Sequence, residues 1–368
     1  MAKPNIPWWN TDFGDEAVIA VSNAVREKKI SQGVITEQFE REIGQFLGIP
    51  YVIATSSGST ALVLGLMACG VKPGDEVIVP NRTWIATGHA AHLLGAKVVL
   101  CDVEVGRPIL CTKAVRKQIS DKTKAIIPVN MNGRGFAVES LAGLAKQYDI
   151  SIIEDAAQAF GSKKGPIQMG TEGIVGCFSL SVAKIFSSGQ GGFAVTKSPT
   201  VATKLRNLRT HGVENVMDPT NWPMPGLNFR FTDMQASVAR SQLRQVNERI
   251  RHLQQIYQIY IDGLDGVKGI KIIPVDISSG EVPVYNEVLV RNRADFIDHL
   301  RVNSIETRPF YPSLHRAAYF DATRGDGFPN SRSYEEQGVY LPSGPGQKLE
   351  SIESVVEVIR RGSRQNAW

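Results

Sequence analysis

Short apolar runs bounded by turn residues recur through the first half of the chain. They are Val52-Ile53-Ala54, Val77-Ile78-Val79, Val98-Val99-Leu100, Ala125-Ile126-Ile127, Ser151-Ile152-Ile153, Gly176-Cys177-Phe178 and Phe193-Ala194-Val195. Runs this short, apolar on both faces, predict the strands of a buried, mainly parallel sheet with helices between them. Helical spacing comes first: Val18, Val21 and Val25 near residues 15–28, then Phe39, Ile43, Phe46 and Leu47 near 36–48. The texture changes at Thr232. Thr232-Asp233-Met234-Gln235 has the form of a capping box. It opens one long amphipathic helix carrying Ala236, Val238, Leu243, Val246, Ile250, Leu253 and Ile256. The pattern predicts a large α/β domain over residues 1–240 and a smaller α/β domain over 241–368, closed by a helix near 352–359. No internal repeat interrupts it.

Composition narrows the class. A chain of 368 residues has room for one large and one small domain around a substantial core. The apolar stretches fall short of a bilayer span, and residues 1–5 lack the apolar core of a signal peptide, so neither a membrane nor export is expected. Cys69, Cys101, Cys111 and Cys177 stand without metal-ligand spacing, so no metal site and no disulfide is expected, and the reducing cytoplasm is the expected location. The net charge of +5 is spread along the chain with no basic run interleaved with aromatics. That argues against nucleic acid and suits attraction of a small anion.

Lys184 carries the chemistry. It follows the apolar run Cys177-Phe178 and precedes Gly189-Gln190-Gly191-Gly192. At the edge of a buried sheet an ammonium is costly unless paired or used, and a neutral amine there condenses with an aldehyde. Asp155 ends the run Ile152-Ile153-Glu154, where it suits a protonated pyridine nitrogen, although a helix cap is the ordinary use of such a residue. Together the two meet the needs of pyridoxal phosphate chemistry. Thr55-Ser56-Ser57-Gly58-Ser59-Thr60 runs from a strand into a helix, whose N-terminal N–H groups suit a phosphate, with hydroxyls from Ser59 and Thr60. A plain N-cap explains most such turns. Ser179 offers a further phosphate hydroxyl, Trp84 a face for a flat ring and Gln158 a donor to the ring's 3-oxygen; core packing is the common alternative for Trp84.

These segments together resemble the DegT/StrS sugar aminotransferases, a fold-type I branch of pyridoxal phosphate enzymes, and look closest to members that make GDP-perosamine. The resemblance rests on residues 56–62, 80–87, Glu154-Asp155-Ala156-Ala157-Gln158 and Ser179-x4-Lys184-x4-Gly189-Gln190-Gly191-Gly192, in the family's order. It extends from Ser31-Gln32-Gly33 through Gly226-Leu227-Asn228-Phe229-Arg230 to Arg308-Pro309-Phe310-Tyr311 and Leu341-Pro342. It implies a seven-stranded large domain with a smaller C-terminal domain, and pyridoxal 5'-phosphate as cofactor. Lys184 would be the Schiff-base lysine and proton shuttle, Asp155 the partner of the ring nitrogen, Gln158 the donor to the 3-oxygen and Trp84 the stacking ring. Ser59, Thr60 and Ser179 would bind the phosphate. Asn228 matches an asparagine that reaches the phosphate from the partner subunit, so a homodimer with shared sites is implied. The implied reaction is ping-pong transfer of an amino group from L-glutamate to a nucleotide-linked keto-deoxysugar, with a GDP-linked 4-keto-6-deoxyhexose favoured. Arg308 and His315 lie where relatives approach the sugar, and loop packing explains them equally.

Three departures stand out. Gln190 replaces the family's glutamate, Asn130-Met131-Asn132-Gly133 replaces His-Leu-Tyr-Gly beside the expected sugar pocket, and the segment 161–176 is compact. Other readings share the scaffold. The sugar 3-dehydratase branch typically carries histidine where this chain has Lys184. Amination of a cyclitol or aminoquinoid ketone is compatible with the same cofactor residues. A non-catalytic ligand sensor would usually follow a DNA-binding module, for which there is no room before residue 12.

Overall fold

The computed structural model describes residues 6–217, 220–320, 327–365 and 368. The expectation about residues 1–5 therefore lies outside the described residues. In chain order the first part holds α1 (Gly14–Arg26), α2 (Val34–Leu47), β1 (Tyr51–Thr55), α3 (Gly58–Ala68), β2 (Glu76–Pro80), α4 (Ala86–His92) and β3 (Lys97–Cys101). It continues through α5 (Thr112–Gln118), β4 (Thr123–Ile126), α6 (Glu139–Gln147), β5 (Ser151–Asp155), β6 (Val175–Ser179), β7 (Gly192–Thr196) and α7 (Pro199–Arg209).

Every predicted strand forms. They join in one seven-stranded sheet of order β1-β7-β6-β5-β4-β2-β3. The pairs from β3 to β6 run parallel, and β7 is antiparallel to both β6 and β1. One face is covered by α3, α4 and α7, with Leu62, Leu64, Leu66 and Leu205 buried against Val77, Val79, Ile153 and Val175. α3 is apolar nearly all round because it is enclosed by sheet and helices. In sheets of this kind ligands gather beyond the carboxyl ends of the parallel strands. Asp155 closes β5 and Ser179 closes β6, so both stand at that edge.

α1 forms where its spacing places it, but Val18 and Val25 are exposed while Ala17 and Ala24 are buried. Small alanines allow α1 to lie close on the helix that begins at Asp233. The predicted long helix is two helices, α8 (Asp233–Arg244) and α9 (Val246–Leu264), separated at Gln245. Periodicity alone does not register such a break, because the buried positions continue in phase on both sides. The expected domain boundary after residue 240 falls inside α8. The capping box forms: Thr232 Oγ1 accepts from Gln235 N at 3.3 Å. The Asp233 carboxylate also caps another element, accepting from Gly33 N (2.9 Å), Ile35 N (3.2 Å) and Thr36 N (2.8 Å) at the start of α2.

The remaining chain adds β8 (Ile270–Ile272), β9 (Asn286–Val290), α10 (Arg293–Val302), β10 (Arg308–Pro309), α11 (Pro329–Gln337), β11 (Gly338–Leu341) and α12 (Leu349–Arg364). Its strands form an antiparallel sheet of order β8-β9-β11-β10. α9 and α12 share one apolar core with this sheet through Leu253, Ile256, Val288, Val339, Ile352 and Val355. The N-terminal segment returns to this region, with Ile6 bridging Ile305 and Trp9 bridging Ser343. The compact segment 161–176 contains a small hairpin pairing Lys163-Lys164 with Ile167-Gln168. Glu154 anchors the turn after it, accepting from Gly170 N, Glu172 N and Gly173 N. Among the described residues no helix is long and apolar enough to cross a membrane, and no group of His, Cys, Asp and Glu has the makings of a metal site.

Candidate active site

A cavity of about 700 Å³ opens at the carboxyl edge of the large sheet. It is lined by Ser57, Gly58, Ser59, Trp84, Asp155, Gln158, Ser179, Lys184 and Gln190 from the large-sheet region. Trp8, Tyr285, Arg308, Pro309, Tyr311 and Tyr340 contribute from the N-terminal segment and the C-terminal part of the chain.

The two ionisable groups face each other inside protein. Asp155 is buried, and burial pushes its carboxyl up. Bonds from Thr87 Oγ1 to Oδ2 (2.7 Å) and Ala157 N to Oδ1 (3.2 Å), with the charge of Lys184, act the other way. The Lys184 side chain keeps partial exposure toward the cavity, and enclosure by protein pulls its amine down to about 8. Asp155 opposes that shift by attracting the ammonium. At pH 7 roughly a tenth of such an amine is neutral, far more than for an exposed lysine. Lys184 Nζ has one hydrogen-bond acceptor among the described residues, the Tyr285 hydroxyl at 3.4 Å.

The turn into α3 supplies donors. Ser57 caps the helix by accepting from Thr60 N (3.1 Å), and the Thr60 hydroxyl donates to Ser57 O (2.7 Å) and accepts from Ser57 N (3.0 Å). Thr60 is therefore spent on the cap and does not line the cavity. The N–H groups of Gly58 and Ser59 have no acceptor among the described residues, as expected in a first helical turn. The turn is pressed against the sheet. A Cβ at Gly58 would lie 2.9 Å from Ser179 Cβ, and one at Gly192 only 2.5 Å from Gly58 N. Glycine at both positions brings the helix terminus, Ser59 and Ser179 to one end of the cavity.

Gln158 accepts from Asn132 N at 3.0 Å through Oε1, so its Nε2 is the donor left for the cavity. Trp84 is 56% exposed, too open for a core residue, and stands edge-on to Tyr311 with ring centroids 5.4 Å apart. Arg308 sits at the mouth, its guanidinium 4.9 Å from the Trp8 ring and paired with Glu306 at 3.1 Å. Beneath Tyr311 lies Arg82, wholly buried, 4.1 Å from that ring and 4.3 Å from Phe310, donating to Tyr340 Oη at 3.3 Å. With no carboxylate bonded to it among the described residues, its charge is met by ring faces.

The structure thus gathers Lys184, Asp155, Gln158, Trp84, Ser59, Ser179 and Arg308 at one cavity. His315 is elsewhere: its ring stacks on Phe328 and bonds Asn81 at 3.0 Å, and burial lowers its basicity. Asn228 is exposed outside the cavity, accepting from Arg230 Nε at 2.8 Å. Gln190 lies at the rim. Trp8, Thr87, Tyr285, Tyr311, Tyr340 and Arg82 escaped the sequence reading. Thr87 and Tyr311 lie within motifs already singled out, whereas nothing local marks Trp8 or Tyr285.

The model of the DegT/DnrJ/EryC1/StrS aminotransferase family matches residues 12–360. The GDP-perosamine synthase of Vibrio cholerae is 30% identical over 342 residues, covering 90% of this chain and 91% of that protein. The GDP-perosamine synthase of Caulobacter vibrioides is 29% identical over 338 residues, covering 89% and 90%. Among solved structures, S. venezuelae DesV in complex with a ketimine intermediate aligns with a TM-score of 0.92 at 28% identity, over 98% of this chain and 99% of that one.

Proposed function

Because the chain belongs to the DegT/DnrJ/EryC1/StrS aminotransferase family, we propose that it moves an amino group from L-glutamate to a nucleotide-linked keto-deoxysugar, using pyridoxal 5'-phosphate. A 4-keto-6-deoxyhexose carried on GDP is the favoured acceptor, in keeping with the relatives that make GDP-perosamine. The observation that carries the reading is a lone amine near neutrality facing a buried carboxylate, beside a helix terminus with unused donors.

Pyridoxal phosphate supplies an aldehyde that captures amines and a ring that withdraws electrons when protonated. The residues present fit it. Asp155, whose carboxylate form is favoured by the bonds from Thr87 and the Ala157 N–H and by the charge of Lys184, would be the partner of a protonated ring nitrogen. Gln158 Nε2 would be the donor to the ring's 3-oxygen. The N–H groups of Gly58 and Ser59 and the hydroxyls of Ser59 and Ser179 would hold the phosphate at the positive end of α3. Trp84 offers a ring face.

Lys184 Nζ anchors the cofactor in its neutral form. Freed from that role, the same nitrogen would be the base placed to take up and return the proton of the donor's α-carbon, and the same base would serve in the half-reaction with the sugar. Asn228, on an exposed loop away from its own cavity, suits delivery to the phosphate of a second copy, so the working form is a homodimer with shared sites in the cytoplasm.

The test uses the full-length protein. A yellow absorbance that borohydride bleaches, that glutamate removes and that Lys184→Ala lacks is expected. The aminated form is then offered GDP-, UDP- and dTDP-linked keto sugars, with cyclitol ketones as the competing acceptors. A protein that takes up no pyridoxal phosphate sinks the proposal, and turnover of cyclitols alone moves it to another acceptor class.

A further inference from the structure

The loop at residues 130–134 carries chemistry that the proposed function leaves unused. Asn132 is buried with φ of 52°, a left-handed conformation that asparagine tolerates better than bulky residues. Its side-chain amide behaves like a short piece of strand. Oδ1 accepts from Tyr285 N at 2.6 Å, and Nδ2 donates to Tyr285 O at 2.7 Å and Glu287 Oε2 at 2.9 Å. Both amide hydrogens and the carbonyl are used, which fixes the orientation of the group. Its own backbone N–H donates to Gln158 Oε1 at 3.0 Å.

Tyr285 extends the chain of contacts to the amine. Its hydroxyl donates to Ala183 O at 2.7 Å, so toward Lys184 Nζ, 3.4 Å away, it can act only as an acceptor. Trp8 stacks on its ring at 6.2 Å, and Trp9 and Tyr340 meet it edge-on at 5.4 and 5.5 Å. The loop itself cannot retreat. Arg134 is buried in an ion pair with Glu287 and donates to Ile273 O and Pro274 O. A Cβ on Gly133 would lie 2.0 Å from Val282 O.

We infer that Asn132 is a positioning residue for both sides of the site: its amide sets Tyr285, and through it the Lys184 amine, while its N–H turns Gln158 so that Nε2 donates to the cavity. The inference rests on the reading of Lys184 as the reactive amine. It also gives a role to a loop whose sequence departs from the family pattern: the asparagine joins the large sheet region to β9 with bonds that an aromatic side chain cannot make.

The test reads Lys184 without cofactor, so that its failure is separate from failure of the proposed function. Pulse labelling with acetic anhydride, followed by mass spectrometry of the Lys184 peptide, reports the neutral amine relative to exposed lysines of the same chain. Burial lowers its basicity and the charge of Asp155 opposes that; the Tyr285 hydroxyl is its hydrogen-bond acceptor, and Arg308, Tyr311 and Tyr340 line the same cavity. Tyr285→Phe keeps the ring and removes the acceptor that favours the ammonium. Labelling at pH 7 is expected to rise about threefold. Asn132→Gly keeps the left-handed turn and the N–H to Gln158 but frees Tyr285, and the same rise is expected. The double variant should rise no further. Multiplying effects, or unchanged labelling in a folded Asn132→Gly, overturns the inference. If that variant does not fold, unchanged labelling in Tyr285→Phe alone overturns it. On the other side, the bound cofactor's visible band should move in Gln158→Glu and stay in place in Asn132→Gly. A band that moves in both refutes the division of labour.

Discussion

The two ends of the cavity are built differently. At the polar end Lys184, Asp155, Gln158, Ser59 and Ser179 all end or closely follow strands β1, β5 and β6 of one sheet. Their positions are inherited from hydrogen-bonded backbone, and Asp155 is held by two direct bonds. At the aromatic end Trp8, Trp84, Tyr311 and Tyr340 come from four distant stretches of chain and are held by packing, with the guanidinium of Arg82 wedged beneath. The rigid end suits a reaction in which atoms must be placed to a fraction of an ångström. The assembled end can change its fit through the substitution of any one contributor, which suits selection of an acceptor.

The comparison breaks most visibly at Lys184. Lys184→Met removes the only amine lining the polar end among the described residues, and both half-reactions should fall to the uncatalysed background, with the yellow absorbance absent. A variant that still aminates sugar would place the reactive group elsewhere. Asp155→Asn is next. It keeps the shape and the Thr87 contact but loses the charge, and kcat should drop by about 10²–10³ in both half-reactions, by analogy with loss of other preorganised charge-stabilising groups. Equal loss in the two halves marks the polar end as shared.

Arg308→Met tests the other end. It leaves every polar-end group in place, so the half-reaction with glutamate should keep its rate while the KM for the nucleotide sugar rises about tenfold or more, the scale of a hydrogen bond to a charged group. Loss of the glutamate half-reaction instead would move Arg308 from acceptor selection to donor binding.

These two ends also differ in how legible they were. Each polar-end residue stands in a local signal, an apolar run followed by a turn, and its chemistry follows from residue type at a strand end. Asp155 and Lys184 were readable because a buried charge demands a use. The hydroxyls of Thr60 and Ser59 are equivalent in sequence, and only the geometry of the cap separates them. Trp8 and Tyr285 carry no local signal, since their place depends on the N-terminal segment folding back on the C-terminal part of the chain, beside Ile305, Ser343 and the approach to β9. The split into α8 and α9 was hidden for a related reason: burial stays in phase across Gln245.

pH offers a smaller and reversible perturbation of the polar end. Capture of pyridoxal phosphate by the empty protein requires neutral Lys184, whose amine burial has brought to about 8. The capture rate should climb roughly tenfold per unit at lower pH and level off above about 8. Asp155 attracts the ammonium and so raises the amine's affinity for protons. Its removal in Asp155→Asn should shift the levelling to lower pH. Stopped-flow absorbance decides this, and a shift to higher pH would mean that Asp155 does not act on Lys184 through charge.

The smallest effect separates two neighbouring hydroxyls within the polar end. Thr60 Oγ1 closes the cap of α3 with Ser57, whereas the Ser59 side chain is exposed at the cavity wall with no bond to protein among the described residues. Thr60→Val should therefore cost about 1 kcal/mol of stability, as cap losses do, and leave cofactor affinity nearly unchanged. Ser59→Ala should do the reverse, weakening cofactor binding about tenfold while the melting temperature holds, because only a bond to the charged phosphate is lost. Thermal melts paired with equilibrium titration of the cofactor read both quantities on each variant. If the two substitutions weaken binding equally, the cap and the phosphate cradle are one device, and the distinction between fixed backbone and contributed side chain fails at the place where it should be sharpest.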